Sequence, residues 1–434
     1  WAAPNFFYES DPRELIPNDS LYAQQYHHPL MQNDLAWDIT LGDSSIIVAV
    51  TDDGVDIDHE DLAANIWTNP GEIANNNIDD DGNGFIDDVN GWDFSSNDND
   101  PNPVGGDDHG THVSGIVAGD IDNTVGIAGT AGAATIMPIR FYGSSAWTST
   151  VIAASYAYAV DNGAQIISTS YNVDSFVGDP TFEAGLDYLY DQGVLHLNSA
   201  GNNNQDNSPR SIYDQSLYVV STTSNDTRSG FSNYGTLTDI SAPGSSILST
   251  VLSDNYGSKS GTSMATPNAA GVAALIWSEH PDWTREQVVS QLLGTADEID
   301  SLNPGFEGKL GTGRVNSFQA LTGAPSAPGI DGVLGLPEGG GSITEAPTTL
   351  FVDVPYLLDP STVNNPANWI LRSDGEDNVF DTADDYIVPL TLETDYMVGS
   401  NFVEFSVGSM LFEHYEFRAM SGGLADPFGT PLNG

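Results

Sequence analysis

The sequence predicts an α/β domain, layered α/β/α around a mainly parallel sheet, followed by a small all-β sandwich. Three observations carry this. Short apolar runs alternate with longer small-residue stretches between about residues 45 and 320; a Gly/Pro/Ser segment interrupts at 322–332; short alternating runs broken by turn residues then continue to the end.

The elements follow in order. "SIIVAV" (45–50), "TIMPIRF" (135–141), "AQIISTS" (164–170), "GVLHLNS" (193–199), "SLYVVSTT" (216–223) and "LTDISAPG" (237–244) read as buried strands. Between them, 110–121, 149–163, 182–193 and 263–280 read as helices. Thr284 with Gln287 three residues on makes a capping box, and Val288, Val289, Leu292 and Leu293 form one face of the helix it opens. Residues 1–44 are expected to be an N-terminal extension packed on the domain of 45–321, with 322–332 a linker and 333–434 the β sandwich. In that last part "TTLFVDVP", "NWILRSD", "DYIVPLTL", "NFVEFSVG" and "HYEFRAM" are the strands.

Composition narrows the function. The 434 residues contain no cysteine, so neither disulfides nor thiolate metal sites contribute. Acidic residues number 61 against 10 basic ones, a net charge of −51. Such a surface repels nucleic acid and anionic lipid, attracts divalent cations, and suits seawater or brine, where salt screens its self-repulsion. There is no run of 18 apolar residues, so no membrane span is expected. The chain opens at Trp1 without initiator methionine or signal-peptide pattern, as a trimmed product would. With the acidity and the calcium-type loops below, this points to an extracellular, secreted protein.

Three motifs carry chemistry. In "SIIVAVTDDGVDIDHEDL" a buried strand runs into Asp52, Asp53 and Gly54, and a carboxylate at the carboxyl end of a strand in an α/β sheet stands where ligands bind. In "DDHGTHVSGIVAG" His109 starts a helix after a glycine-containing stretch, a place from which an imidazole reaches a cleft. His109 and His112 at i and i+3 also match paired metal ligands, but no Glu lies between them and no third ligand follows at suitable spacing. In "KSGTSMATPNAAGVAAL" Ser263 opens a long helix with Pro267 in its first turns, beside free N–H groups and the positive end of the helix dipole. Each residue alone is an ordinary turn or cap; together they stand in the order Asp, His, Ser of one acyl-transfer triad.

From about Asn18 to Leu321 the chain resembles the subtilisin-like serine proteases, the subtilase family, on "HGTHVSG" and "GTSMATP". The Asp-Asp-Gly form of the first motif looks like the kexin-type branch. The resemblance implies a subtilisin-like fold and a serine endopeptidase acting on peptides and proteins. It further implies Asp52, His109 and Ser263 as the triad, a monomer, and an N-terminal propeptide removed before Trp1. "SAGNNNQDN" matches the oxyanion segment of the family and implies Asn202 as a donor, typically worth about 10²–10³ in kcat. Ser170, Tyr171 and Asn172 take the place of its substrate-pairing strand, although the family's Ser-Leu-Gly-Gly-like run here reads Ser-Tyr-Asn-Val. The resemblance implies Tyr142 and Trp147 on the opposite rim, and Gly201 beside Asn202 is expected at the substrate. A kexin-like preference for dibasic sites would need carboxylates in the first two subsites, for which Asp53, Asp174 and Asp206 are candidates. Broad specificity is the expectation, with a kexin-like processing protease for basic sites, or a catalytically idle calcium-dependent binding protein, as the alternatives.

Two or more structural calcium ions are expected. "IDDDGNGFIDD" places Asp79, Asp81, Asn83, the Phe85 carbonyl and Asp87 at EF-hand loop positions 1, 3, 5, 7 and 9, with Asp88 adjacent; position 12 is Asn90 rather than Glu, and the flanks are not amphipathic helices. The resemblance implies another site from Asp19, Asp61 and Asn123 with the carbonyls of Ile121, Val125 and Ile127. Asp98, Asp100 and Asn102 are similar to a site that precedes the active histidine in the family. The acidic loop 373–385 is read equally as a calcium site or a hairpin loop.

Overall fold

The computed structural model describes residues 14–432 apart from 143–146, 325–329, 331, 335, 337–345, 355–357, 376, 378, 398, 399, 401 and 411–413. Part of the expected rim (143–146), part of the linker (325–329), the start of the N-terminal extension and parts of the acidic loop 373–385 therefore lie outside the described residues.

Seven strands form the central sheet: β1 (Ile47–Asp52), β2 (Trp92–Asp93), β3 (Thr135–Arg140), β4 (Ile166–Thr169), β5 (Leu195–Ser199), β6 (Ser216–Thr222) and β7 (Ile240–Pro243). Their order is β2-β3-β1-β4-β5-β6-β7 and every pairing is parallel. Parallel strands need crossover helices, and a strand covered on both faces is apolar throughout, as "IVAV" and "LYVV" are. Two short helices, α1 (His27–Leu30) and α2 (Asn33–Ala36), precede the sheet, whose side chains alternate between its two faces. Val48, Val50, Ile166, Leu217 and Val219 pack with helices α3 (His109–Ala118), α6 (Thr262–Glu279) and α7 (Arg285–Gly294). Ala49, Met137, Ile139 and Ile167 pack with α4 (Ser149–Asp161) and α5 (Pro180–Asp191). The result is three layers.

The chain runs from β1 through α3 to β3 on one side, then returns through α4 to β4 on the other. The carboxyl end of β1 is thus a topological switch point, where α/β sheets open a crevice. Two features escaped the sequence reading: β2, two residues long, and the hairpin of β8 (Ile247–Val251) with β9 (Asn255–Lys259).

The last hundred residues form a four-stranded antiparallel sheet, in which β10 (Gly332–Leu334) and β14 (Leu390–Leu392) are the edges, and a three-stranded one edged by β13 (Tyr386–Val388) and β16 (Tyr415–Ala419). Alternate residues of β11 (Thr349–Asp353), β12 (Trp369–Ser373) and β15 (Phe402–Val407) face inward; Leu350, Val352, Trp369, Leu371, Val403 and Phe405 build the sandwich core. This unit meets the α/β part where Phe428 lies edge-on to Trp283, Gln287 donates to the Pro427 carbonyl (3.3 Å) and the Ser400 hydroxyl donates to Asp214 (2.5 Å). Among the described residues no helix is long and apolar enough to cross a membrane.

Candidate active site

Asp52 ends β1 at the switch point, nearly buried. His109 begins α3, and its Nδ1 lies 2.9 and 3.0 Å from the two Asp52 carboxylate oxygens. The approach depends on Gly110: a Cβ there would come within 2.2 Å of the Gly54 carbonyl oxygen and 3.0 Å of the Asp52 Cβ. Asp108 makes no side-chain cap for α3. Asp53 supplies one from across the crevice, accepting the backbone N–H of His109 (3.1 Å) and of Gly110 (2.7 Å). Burial and the neighbouring Asp52 charge push the Asp53 carboxyl up to about 6. Burial pulls the His109 pKa down, but the Asp52 charge and hydrogen bond, with the Asp53 charge, more than reverse this, and the net shift is upward.

Ser263 sits in the first turn of α6, 9% exposed. Pro267 has no N–H to offer the carbonyl four residues earlier, which is that of Ser263. The Ser170 hydroxyl donates to that carbonyl instead (3.0 Å), and the Ser263 hydroxyl donates in return to the Ser170 carbonyl (3.0 Å). The segment after β4 is thereby tied to the start of α6. Asn202 follows β5 and is exposed. Its Oδ1 accepts the N–H (2.9 Å) and hydroxyl (3.0 Å) of Thr262, which fixes the amide and turns its NH₂ outward. A Cβ placed on Gly261 would lie 3.5 Å from the Ser263 nitrogen and 3.6 Å from Asn202 Nδ2, so these two donors border one space.

Among the expected substrate residues, Asn172 and Tyr142 are exposed, and Tyr142 meets Trp147 edge-on. Gly201 is buried, with φ +107° and its N–H donated to the Thr262 hydroxyl (3.2 Å). The Tyr171 side chain turns into the core against Phe141 and Trp147, with its hydroxyl bonded to Thr51 and Tyr156. Tyr171 takes the place of the Leu in the family's run, and its ring lies against Phe141 and Trp147 with its hydroxyl on Tyr156, an apolar setting that either side chain can fill.

The carboxylates considered for basic subsites are all engaged. Asp53 caps α3; Asp174 pairs with Arg210 (2.9 Å); Asp206 pairs with Lys309 (2.6 Å).

The cation-ligand candidates fall into three groups. Asp19 accepts the Asp122 N–H (2.9 Å), while Asp61, fully buried, accepts Asn123 Nδ2 (2.8 Å) and the Ile127 N–H (2.8 Å); Val125 donates to Asn123 Oδ1 (2.6 Å). Burial and the charges of Asp19 and Asp120 raise the Asp61 pKa to about 7, and no lysine or arginine among the described residues pairs with Asp19 or Asp61. Two acids held together without a counter-charge fit a cation.

In the second group, carboxylate oxygens of Glu72, Asp81 and Asp88 lie within 4.8 Å of one another. Asn69 Nδ2 bridges Asp81 and Asp88 at 3.0 Å each; Asn83 Nδ2 reaches the same two, and the Tyr158 hydroxyl donates to Asp88 (2.7 Å). Asp79 and Asp87 do not join them. Asp79 accepts the N–H groups of Gly82, Asn83 and Gly84, and Asp87 those of Asn76 and Asn77. Glu72 was not foreseen, because it lies outside the loop whose spacing was read. The Phe85 ring packs on Trp92, Phe94 and Tyr158, anchoring the loop. Asp98 and Asp100 form a succession of Asx turns to Asp100 and Asn102 and join no cluster of three carboxylate or imidazole ligands among the described residues.

An imidazole backed by a carboxylate, a hydroxyl at a helix start and two convergent N–H donors are the equipment of nucleophilic acyl transfer. Comparison with known proteins agrees. The model of the Subtilase family (Peptidase_S8) matches residues 43–319. Thermitase of Thermoactinomyces vulgaris is 37% identical over 311 residues, 70% of this chain and 99% of its own length. A thermophilic serine proteinase of Bacillus sp. (strain AK1) is 34% identical over 74% of this chain and 72% of its own. The halolysin-like extracellular serine protease Nep of Natrialba magadii is 35% identical over 71% of this chain and 53% of its own. Among solved structures, a protease of Pseudoalteromonas arctica PAMC 21717 aligns with TM-score 0.57 and 28% identity over 70% of this chain and 98% of that one. The chain belongs to the subtilase family and is a serine endopeptidase.

Proposed function

We propose that this enzyme is an extracellular, calcium-stabilised endopeptidase of broad specificity whose triad is Asp52, His109 and Ser263. The observation that carries this is His109 Nδ1 held by both Asp52 oxygens at 2.9 and 3.0 Å, which leaves Nε2 for a proton from the nucleophile. The Ser263 hydroxyl exchanges the Ser170 carbonyl for His109 Nε2, loses its proton there and attacks the peptide carbonyl. The carbonyl oxygen becomes an oxyanion that takes the N–H of Ser263 and the amide of Asn202. His109 then returns the proton to the leaving amine, and water hydrolyses the acyl-enzyme by the same route.

Broad rather than dibasic specificity is supported by Asp53, Asp174 and Asp206 being committed to the α3 cap, Arg210 and Lys309. Extracellular action is supported by the Natrialba relative, named as extracellular, and by the acidic surface. Calcium would be held by Asp19, Asp61 and Asn123, and separately by Asp81 and Asp88 with Glu72; its contribution is to neutralise these acids, not to react. The test is phenylmethylsulfonyl fluoride with casein as substrate: a sulfonyl adduct on Ser263 and loss of hydrolysis are expected, and persistent hydrolysis with Ser263 modified overturns the assignment.

A further inference from the structure

Arg210 is 1% exposed and heads the largest fully buried side chains of the described residues. A buried guanidinium is costly unless every donor is used, and here they are spread over two separate backbone segments. Toward the segment after β4, Nη1 donates to the Tyr171 carbonyl (2.9 Å), while Nε and Nη2 reach Asp174 (2.9 and 3.4 Å). Toward the end of β5, the same Nη1 donates to the Ser199 carbonyl (3.2 Å) and Asn198 Oδ1 (3.4 Å). Gly201 is pressed against it: a Cβ there would lie 3.0 Å from Nη2.

The two segments are the ones that matter. Tyr171 follows Ser170, whose carbonyl accepts the Ser263 hydroxyl; Ser199 precedes Gly201 and Asn202, whose amide borders the space beside Ser263. We infer that Arg210 is a positioning residue that fixes the separation of 170–173 and 199–202, the two segments that flank Ser263, where the carbonyl of the P1 residue must sit to be attacked, and thereby sets discrimination among P1 side chains. This rests on the proposed function. A general stabilising role would lower activity on all substrates alike, whereas a spacer changes their ratio.

The test compares kcat/KM for peptides with Phe or Ala at P1, together with the inactivation rate by phenylmethylsulfonyl fluoride. Arg210→Lys keeps a cation for Asp174 but cannot fork to both carbonyls. It is expected to change the Phe/Ala ratio by about tenfold, the scale of one methylene in an apolar pocket, with the labelling rate within about threefold. Asp174→Asn leaves the donors to both segments and is expected to keep the ratio. An unaltered ratio in Arg210→Lys overturns the inference, as does an equal change in Asp174→Asn. If Arg210→Lys does not fold, Arg210→Met with Asp174→Leu removes both buried charges; a changed ratio supports the spacer and an unchanged one overturns it. Failure of Ser263 to react in the unaltered enzyme would instead sink the proposed function.

Discussion

Asp53 shows how one carboxylate can serve another residue's chemistry. It sits beside Asp52 in sequence, yet its oxygens go to the N–H groups of His109 and Gly110, so it both anchors the helix and adds negative charge near the imidazole. Both nearby acids raise the His109 pKa, and the proposed mechanism needs this imidazole neutral, so the acid limb of kcat/KM is expected above the ordinary histidine value near 6.5. Asp53→Asn removes one raising charge while keeping an acceptor oxygen for the cap. Its limb is expected to move to lower pH; a limb that stays put in a pH profile would show that Asp53 acts on the backbone alone. Residues of this kind divide what the sequence reveals from what it hides. The proposed triad, Asp52, His109 and Ser263, can be picked out of the sequence because each residue stands in a distinctive motif at a strand end or helix start. The Asp53 cap and the Arg210 brace cannot, since both depend on partners from 11 to 57 positions away that only the fold brings close.

Elements were read more completely than their arrangement. The six long strands of the parallel sheet and its four main helices stand where the apolar runs and small-residue stretches placed them. A two-residue strand such as β2 has no period to detect, and the order β2-β3-β1-β4 follows from crossovers that local pattern does not encode. The capping box of α7 is an instance of full legibility: Thr284 accepts the Gln287 N–H (3.4 Å) and Gln287 Oε1 accepts the Thr284 N–H (3.0 Å). Thr284→Ala is expected to lower unfolding free energy by about 1 kcal/mol, read from urea melts, with kcat unchanged. A loss of activity without a loss of stability would contradict that reading.

For the molecule as a whole, the acid cluster at Asp19 and Asp61 links stability to pH and to cations. The folded Asp61 pKa, about 7, is above its unfolded value, so without a cation its contribution is complete below about pH 4 and lost as pH rises through 7. Buried His28, His112 and His196, pushed down to about 3, 4 and 3, act in the opposite sense: their stability is present above 6.5 and lost as pH falls toward those values. They affect calcium-loaded and EDTA-treated protein alike. The gap in unfolding free energy between the two preparations, read from urea melts, is therefore expected to widen from pH 5 to pH 8, approaching about 2.7 kcal/mol at a hundredfold excess of calcium over Kd. Equal gaps at both pH values would exclude Asp61 as a ligand.

The few cations have a corollary for the enzyme's own survival. Arg13 lies outside the described residues; every other lysine and arginine is bonded. Lys259 pairs with Asp108, Lys309 with Asp206, Arg140 with Asp93, Arg210 with Asp174, Arg314 with Asp226 and Asp297, Arg285 with Glu286, and Arg372 and Arg418 with Glu416. Arg228 lies over Tyr234 and Phe306 and donates to Asn204. A trypsin-like competitor in the same water would find few sites to cut and those few tethered, so the composition that suits brine also makes the molecule poor prey.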